Sequence, residues 1–209
     1  NYLLLLGWSL DDKTETFSRA EMLEHFSLDR VVKSAASFDP QKLVAFQGRY
    51  MDNVPLKPKA KLCKRYLEQA HVTADPMDCD HLAMMKDIIE AAGDRLSMAG
   101  DILKFDDFFI EDAQLSYDAT AWQKRMVKPE QAGFLIGELY KVLNVHPEFV
   151  AAELETAIKG FCETQGIGIG DIIHALRVSV TGKAAGFGMF DTLEILGRDR
   201  VLNRMARSL

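Results

Sequence analysis

Ala175-Leu176-Arg177-Val178-Ser179-Val180-Thr181-Gly182, followed by Lys183-Ala184-Ala185-Gly186-Phe187-Gly188-Met189-Phe190, is the stretch on which the reading of this chain turns. Its apolar spacing and its glycines predict a helix ended by Gly182, a tight turn holding Gly186 and Gly188, and a second helix opening on Met189-Phe190. Such a turn gathers an arginine fork, free backbone groups and two aromatic faces around one small space. Those parts suit unstacked nucleotides: a guanidinium meets acceptor pairs on base edges, and aromatic or apolar platforms take base faces. Each residue also has a plainer reading. A cation near the C-terminal end of a helix is favoured by the dipole, glycines permit tight turns, and Phe187 and Phe190 can simply fill a core. Phe187 sits between two glycines, on a turn rather than within a helix, and is therefore expected at the surface.

Outward from this stretch the signals stay helical. Leu3 to Leu6 closes on Gly7, Ser18-Arg19-Ala20-Glu21 is a capping box, and Asp39-Pro40 is an N-cap followed by proline at the first helical position. Leu43, Val44, Phe46 and Tyr50 form an apolar stripe at helical spacing. Pro55 and Pro58 bracket a break, beyond which Leu62, Tyr66, Leu67 and Ala70 predict a helix ending near His71. Leu82 to Ala92 is amphipathic and stops at Gly93. Ile102 to Phe109 is aromatic-rich and helical, with Phe105, Phe108 and Phe109 facing a core. Asp118 to Lys128 has no decisive pattern, with Trp122 expected inside. Helices are predicted from Lys128-Pro129-Glu130, from His146-Pro147-Glu148, from Asp171 towards Thr181, from Met189 to Leu196 and from Arg198 onward. No segment alternates apolar and polar residues long enough for a strand, so the fold class is all-α.

Composition sets outer bounds. With 209 residues, 48% hydrophobic and 27% charged, the chain has the make-up of a globular protein with one core or two small ones. Its longest apolar run, Leu3 to Leu6, is far short of the about 20 residues a bilayer span needs. It opens on Asn1, without initiator methionine or basic leader, which reads as a fragment. Cys63, Cys79 and Cys162 are scattered and odd in number, the pattern of a reducing compartment. A net charge of −6 disfavours non-specific nucleic-acid binding. The charge is segregated, however: Lys57, Lys59, Lys61, Lys64 and Arg65 form one basic run, and Arg198, Arg200, Arg204 and Arg207 another, while Asp11-Asp12, Asp106-Asp107 and Glu111-Asp112 are acidic. Such a field can hold a specific RNA, although each run also reads as a solvated helix face.

Most chemistries are excluded by motif. Gly166-Ile167-Gly168-Ile169-Gly170 lacks the Gly-Lys-Ser/Thr and the preceding strand of a phosphate loop, so it reads as a helix–turn–helix connection. No nucleophile elbow and no His-Glu-x-x-His occur. Cys79, Asp80 and His81 lack a second ligand pair, so no metal site is expected. The histidines are dispersed, with His174 at the edge of an apolar face. Asp106 and Asp107 are adjacent and diverge on a helix. No catalytic residue is assigned.

The whole chain resembles the part of a bacterial-type glutamyl-tRNA synthetase that follows its catalytic domain. Asn1-Tyr2-Leu3-Leu4-Leu5-Leu6-Gly7-Trp8-Ser9 resembles the family's Asn-Tyr-Leu-x-x-Leu-Gly-Trp-Ser. The segment Glu24-His25-Phe26-Ser27-Leu28-Asp29-Arg30-Val31 to Phe38-Asp39-Pro40-Gln41-Lys42-Leu43 resembles its stem-contact region. Leu193-Glu194-Ile195-Leu196-Gly197-Arg198-Asp199-Arg200 resembles its closing Leu-x-x-Leu-Gly-Lys/Arg-Glu-Arg. The opening stretch is similar to the family's Leu-Arg-x-Ala-Leu-Thr-Gly, turn, Gly-Leu-Phe.

The resemblance implies two or three packed helical subdomains forming an anticodon-binding cage: a remnant of the stem-contact domain at 1–54, a first anticodon-binding subdomain at 55–128 and a second at 129–209. It implies tRNA(Glu) and the chain's own catalytic domain as partners, with ATP and magnesium used by the full-length enzyme and no cofactor in this fragment. The signatures of His-Ile-Gly-His and Lys-Met-Ser-Lys type are absent, so a fragment inactive alone is expected, cytoplasmic, monomeric and without a membrane partner. By resemblance, Arg177, Gly186, Phe187, Met189 and Phe190 contact the first two anticodon bases. Phe187 replaces a proline and Met189 a leucine of the usual turn. Arg95, within Gly93-Asp94-Arg95-Leu96, matches the arginine that reads the third base and separates tRNA(Glu) from tRNA(Gln), as in a discriminating enzyme, although the Val-Lys-Thr after it is not kept. The rival expectation is a helical adaptor that binds a protein through an apolar groove.

Overall fold

The computed structural model describes residues 1–33 and 35–209, and among these all regular structure is helical. The α-helices are α1 (Tyr2–Leu5), α2 (Arg19–His25), α3 (Pro40–Asp52), α4 (Leu56–Gln69), α5 (Cys79–Ala92), α6 (Ala119–Trp122), α7 (Ala132–Val145), α8 (Ala151–Gln165), α9 (Ile169–Thr181), α10 (Met189–Leu196) and α11 (Arg198–Arg207). None is long and apolar enough to cross a membrane.

Local chemistry starts and stops these helices where capping rules require. The Ser18 side chain accepts from Glu21 N–H at 3.2 Å, and the Glu21 carboxylate accepts from Ser18 N–H at 2.7 Å. The Asp39 carboxylate accepts from Gln41 and Lys42 N–H, with Pro40 opening α3. Gly93, Gly166 and Gly182 end α5, α8 and α9 at positive φ. Between α5 and α6 the chain runs as 3-10 turns, the longest being Ala99–Phe108.

The main hydrophobic core runs from Ala60 to Met205. The first 54 residues bury their own aromatic group instead, with Tyr2 edge-on to Phe46 and Trp8 edge-on to Phe17. One join between the two regions is close: a Cβ on Gly48 of α3 would meet the Ser97 hydroxyl at 3.3 Å.

Several boundaries depart from the sequence-based expectation. Pro58 is the third residue of α4 rather than part of a break, a place where its missing N–H leaves no helical bond unmade. Lys128 does not open α7; it caps a five-residue π-helical turn, Gln123–Val127, and α7 begins at Ala132. Asp106 and Asp107 do not diverge usefully: the Lys183 ammonium reaches both carboxylates, at 2.7 Å from Asp107, and also Lys104 C=O. The backbone leaves helical angles at Phe105, just before the pair, and one long lysine bridges both carboxylates.

Candidate nucleic-acid interface

The turn between α9 and α10 is built from beneath. Gly182 takes φ +73°, and its C=O accepts from Asp118 N–H at 2.8 Å. The loop 115–118 lies so close that a Cβ on Gly182 would collide with Ser116 C=O. Beyond it, Lys183 ties the turn to the end of the 3-10 segment Ala99–Phe108. Phe187 then drops inward, stacked on Phe108 at 5.4 Å and 22° and tilted against Phe105 at 5.4 Å.

This corrects the expectation for two site residues. Phe187 is 2% exposed and Met189 5%, so neither side chain is a free platform for a base. Two aromatic rings waiting below the turn offer contacts worth about 0.5–1.5 kcal/mol beyond area burial, which solvent cannot match. The glycines on either side, which made exposure the expectation, instead give room to neighbouring side chains, Arg177 beside Gly186 and Asp191 beside Gly188. Gly186 and Phe190 remain half-buried, and Gly188 is exposed.

Arg177 lies along the turn it was expected to serve. Its Nη2 donates to Phe187 C=O at 2.8 Å. Gly186 is pressed against the same guanidinium, since a Cβ there would sit 2.8 Å from Nη1. Glycine is therefore required at 186 for close approach. Burial, and then the like charge of Arg95, push Arg177 below the usual arginine value, with Asp107 a smaller opposing influence. Arg95 is thus within electrostatic reach, although 82 residues separate the two in sequence. It projects from the 3-10 turn Gly93–Arg95 with its side chain 56% exposed, and its nearest carboxylate, Asp94, is 3.9 Å away. Leu96, buried beside it, anchors that turn.

The basic run of α11 is absorbed by the fold. Arg204 is fully buried, donating to Asp112 at 2.6 Å, to Val180 C=O at 2.7 Å and to Asp107 C=O at 2.9 Å. Arg200 reaches Phe108 and Ile110 C=O, and Arg207 reaches Asp112 and Leu115 C=O. Arg198 caps the end of α7 through Leu143 C=O at 3.1 Å. Arg200, Arg204 and Arg207 fasten the segment 107–115, supplying donors to carbonyls that its short 3-10 turns leave free. The run on α4 is different: Lys64 pairs with Glu68, while Lys57 and Lys61 stay exposed.

Sequence reasoning passed over a further cationic group. The π-helical turn carries Lys124 and Arg125, and α9 carries His174 one helical turn before Arg177. Arg125 and His174 line a cleft of about 580 Å³ with Pro129, Gln131, Ile167 and Gly170. The signal available in the sequence was the i, i+3 spacing of His174 and Arg177; the π turn had no legible signature.

The chain is an all-helical fold in which Arg177 lies along a helix–turn–helix within electrostatic reach of Arg95. A family model described as an anticodon binding domain matches residues 59–209. The chain belongs to that family and corresponds to the C-terminal, anticodon-binding part of glutamate–tRNA ligases. It is 31% identical over 208 residues to the glutamate–tRNA ligase of Moorella thermoacetica, covering all of this chain and 42% of that protein. It is 32% identical over 205 residues to that of a Roseiflexus species, covering 98% of this chain and 40% of that protein. The crystal structure of a glutamate tRNA ligase from Elizabethkingia meningosepticum superposes with TM-score 0.79 at 24% identity, over 99% of this chain and 39% of that one, a likeness of fold. The chain thus spans about two fifths of the length of the relatives it matches.

Proposed function

We propose that this chain positions the anticodon stem and loop of tRNA(Glu) for a glutamate–tRNA ligase, with Arg95 and Arg177 reading anticodon bases. The observation that carries the reading is the Arg177 guanidinium laid along the α9–α10 turn, its Nη2 donating to Phe187 C=O at 2.8 Å. Burial and the like charge of Arg95, from a separate part of the chain, disfavour its charged form, and Asp107 gives only minor relief. A base edge with two acceptors supplies that relief. Gly186, Phe187 and Met189 serve the site through the backbone they shape, and the half-buried Phe190 borders it.

In this reading residues 1–54 belong to a stem-contact domain, and 55–128 and 129–209 are two anticodon-binding subdomains. The glutamylation reaction, with its ATP and magnesium, belongs to a catalytic domain outside this chain. Gly166 to Gly170 links two helices here rather than cradling phosphate, and among the described residues no group of three His, Cys, Asp or Glu could hold a metal ion. The parent protein is read as monomeric and cytoplasmic, in keeping with free Cys63, Cys79 and Cys162.

The test is a titration with anticodon stem-loops of tRNA(Glu) and tRNA(Gln) at two salt concentrations. Each arginine is expected to contribute about 1–3 kcal/mol of discrimination, by analogy with bidentate contacts to DNA bases. Arg95→Ala and Arg177→Ala should therefore weaken the cognate stem-loop far more than Lys13→Ala, an exposed position away from the turn. Binding indifferent to the anticodon and to salt would instead mark an apolar protein-docking adaptor.

A further inference from the structure

We propose that Arg125 and His174, which line the cleft between the π-helical turn and α9, form with the charge of nearby Lys124 a phosphodiester-binding subsite that takes the sugar-phosphate backbone of an RNA strand. This inference rests on the anticodon reading above, because it extends the strand held at Arg177 by one helical turn along α9.

Three observations converge on the cleft. The first is place. His174 and Arg177 share one face of α9 at i, i+3, so a strand whose base meets Arg177 lies over the mouth of the cleft. The second is the backbone of the π turn. Its wider turn sends Met126 into the core and leaves Lys124 exposed and Arg125 half-buried beside α9, and π turns are frequent at functional sites. The third is charge. Among the described residues, Lys124 and Arg125 have no carboxylate within 4.0 Å, a state they share with other surface cations such as Lys57 and Lys61, and the charges that act on His174 are Arg125, Arg177 and Lys124. On a chain of net charge −6, leaving these two unpaired beside a histidine is a local excess of positive charge.

Two carboxylates also line the cleft, and neither lies within ion-pair distance of Arg125 or Lys124. Asp171, on α9 itself, is oriented by Gly168 N–H, which donates to it at 2.8 Å. Glu130, from the turn after the π segment, is exposed and lies beyond ion-pair distance of Arg125. Burial, then Arg125, Arg177 and Lys124, hold the His174 imidazole below its ordinary value. A phosphodiester entering the cleft reverses the sign of that surrounding charge. Protonated His174 then donates to a phosphate oxygen, while Arg125 and Lys124 supply the charge-assisted bonds that fix the strand.

The experiment follows the His174 ring by NMR through a pH titration of the chain alone, with the tRNA(Glu) anticodon stem-loop, and with an oligouridylate that has no such anticodon. Both RNAs should raise the His174 pKa. A rise of one unit corresponds to tenfold tighter binding at low pH than at high pH. Lys124→Ala, at an exposed position, and Arg125→Ala, at a half-buried one, should weaken the two RNAs alike and lower the salt slope by about one each. His174→Gln should abolish the pH dependence while retaining binding at neutral pH. If the stem-loop binds through Arg95 with His174 and the salt slope unmoved, the subsite is overturned and the anticodon reading stands. If the stem-loop fails to bind but oligouridylate moves His174, the subsite stands and the anticodon reading falls; silence with both RNAs overturns both. An equal response to millimolar inorganic phosphate overturns the strand assignment in favour of a free-anion site.

Discussion

Replacing Gly182 with alanine separates what a helix-ending glycine costs by conformation from what it costs by contact, because Gly166 provides an internal reference. Both end a helix in the left-handed region, at φ +73° and +66°. No atom would lie within 4 Å of a Cβ on Gly166, whereas a Cβ on Gly182 would run into Ser116 C=O. Gly166→Ala should therefore cost only the left-handed penalty, roughly 1–2 kcal/mol. Gly182→Ala carries that penalty as well. It must also push back a loop pinned by the Asp118 N–H bond to Gly182 C=O, adding about 1 kcal/mol for the bond and 1–3 for the overpacking. The total is about 3–6 kcal/mol, which at a few degrees per kcal/mol lowers the melting temperature by about 10 °C or more. In urea, with a slope near about 3 kcal/mol/M for a chain of this size, the midpoint should fall by about 1 M or more. Equal losses in the two variants would refute the reasoning, since they would mean that the loop 115–118 is not held against α9.

Four further outcomes follow from the geometry. Gly186→Ala should leave the melting temperature nearly unchanged but weaken RNA binding several-fold in a titration, because its Cβ displaces the Arg177 guanidinium from 2.8 Å. Phe187→Ala should lose about 3–5 kcal/mol in a denaturation experiment, as expected for a buried ring and not for an exposed base platform. Asp112→Ala leaves the fully buried Arg204 without its carboxylate and should cost about 3–5 kcal/mol in the same assay, against a small effect of Asp199→Ala. Burial pushes the Asp112 carboxyl up, but the Arg204 bond and the Arg204 and Arg200 charges outweigh it, and its folded value lies below the ordinary one. Its stabilisation is therefore present above the unfolded value and lost as pH falls through the folded one, so Asp112→Asn should flatten the loss of stability below about pH 4.

How much of the site was legible depended on whether its determinants were local. Arg177, Gly182, Gly186 and Gly188 were readable as a helix end and a turn because capping and φ preferences are written in a few adjacent residues. Arg95 could be matched only through resemblance, since nothing in its neighbourhood announces a guanidinium 82 residues away. The direction of Phe187 was misjudged for the same reason: its fate was set by Phe105 and Phe108, which periodicity placed in the core without saying what covered them. The α11 arginines also looked free, because a charge run in sequence does not reveal which backbone carbonyls it will meet.

By itself, the sequence determined the all-helical class, most helix starts and stops, and the family resemblance, because periodicity, caps and glycines act over one or two turns. Only the tertiary structure decided which cations distant groups neutralise. That choice depends on long-range pairing: Arg204 and Lys183 are consumed by carboxylates and carbonyls more than 70 residues distant, while Arg95, Lys124 and Arg125 are not. Charge is countable along a chain, but whether it is neutralised is a property of what packs beside it.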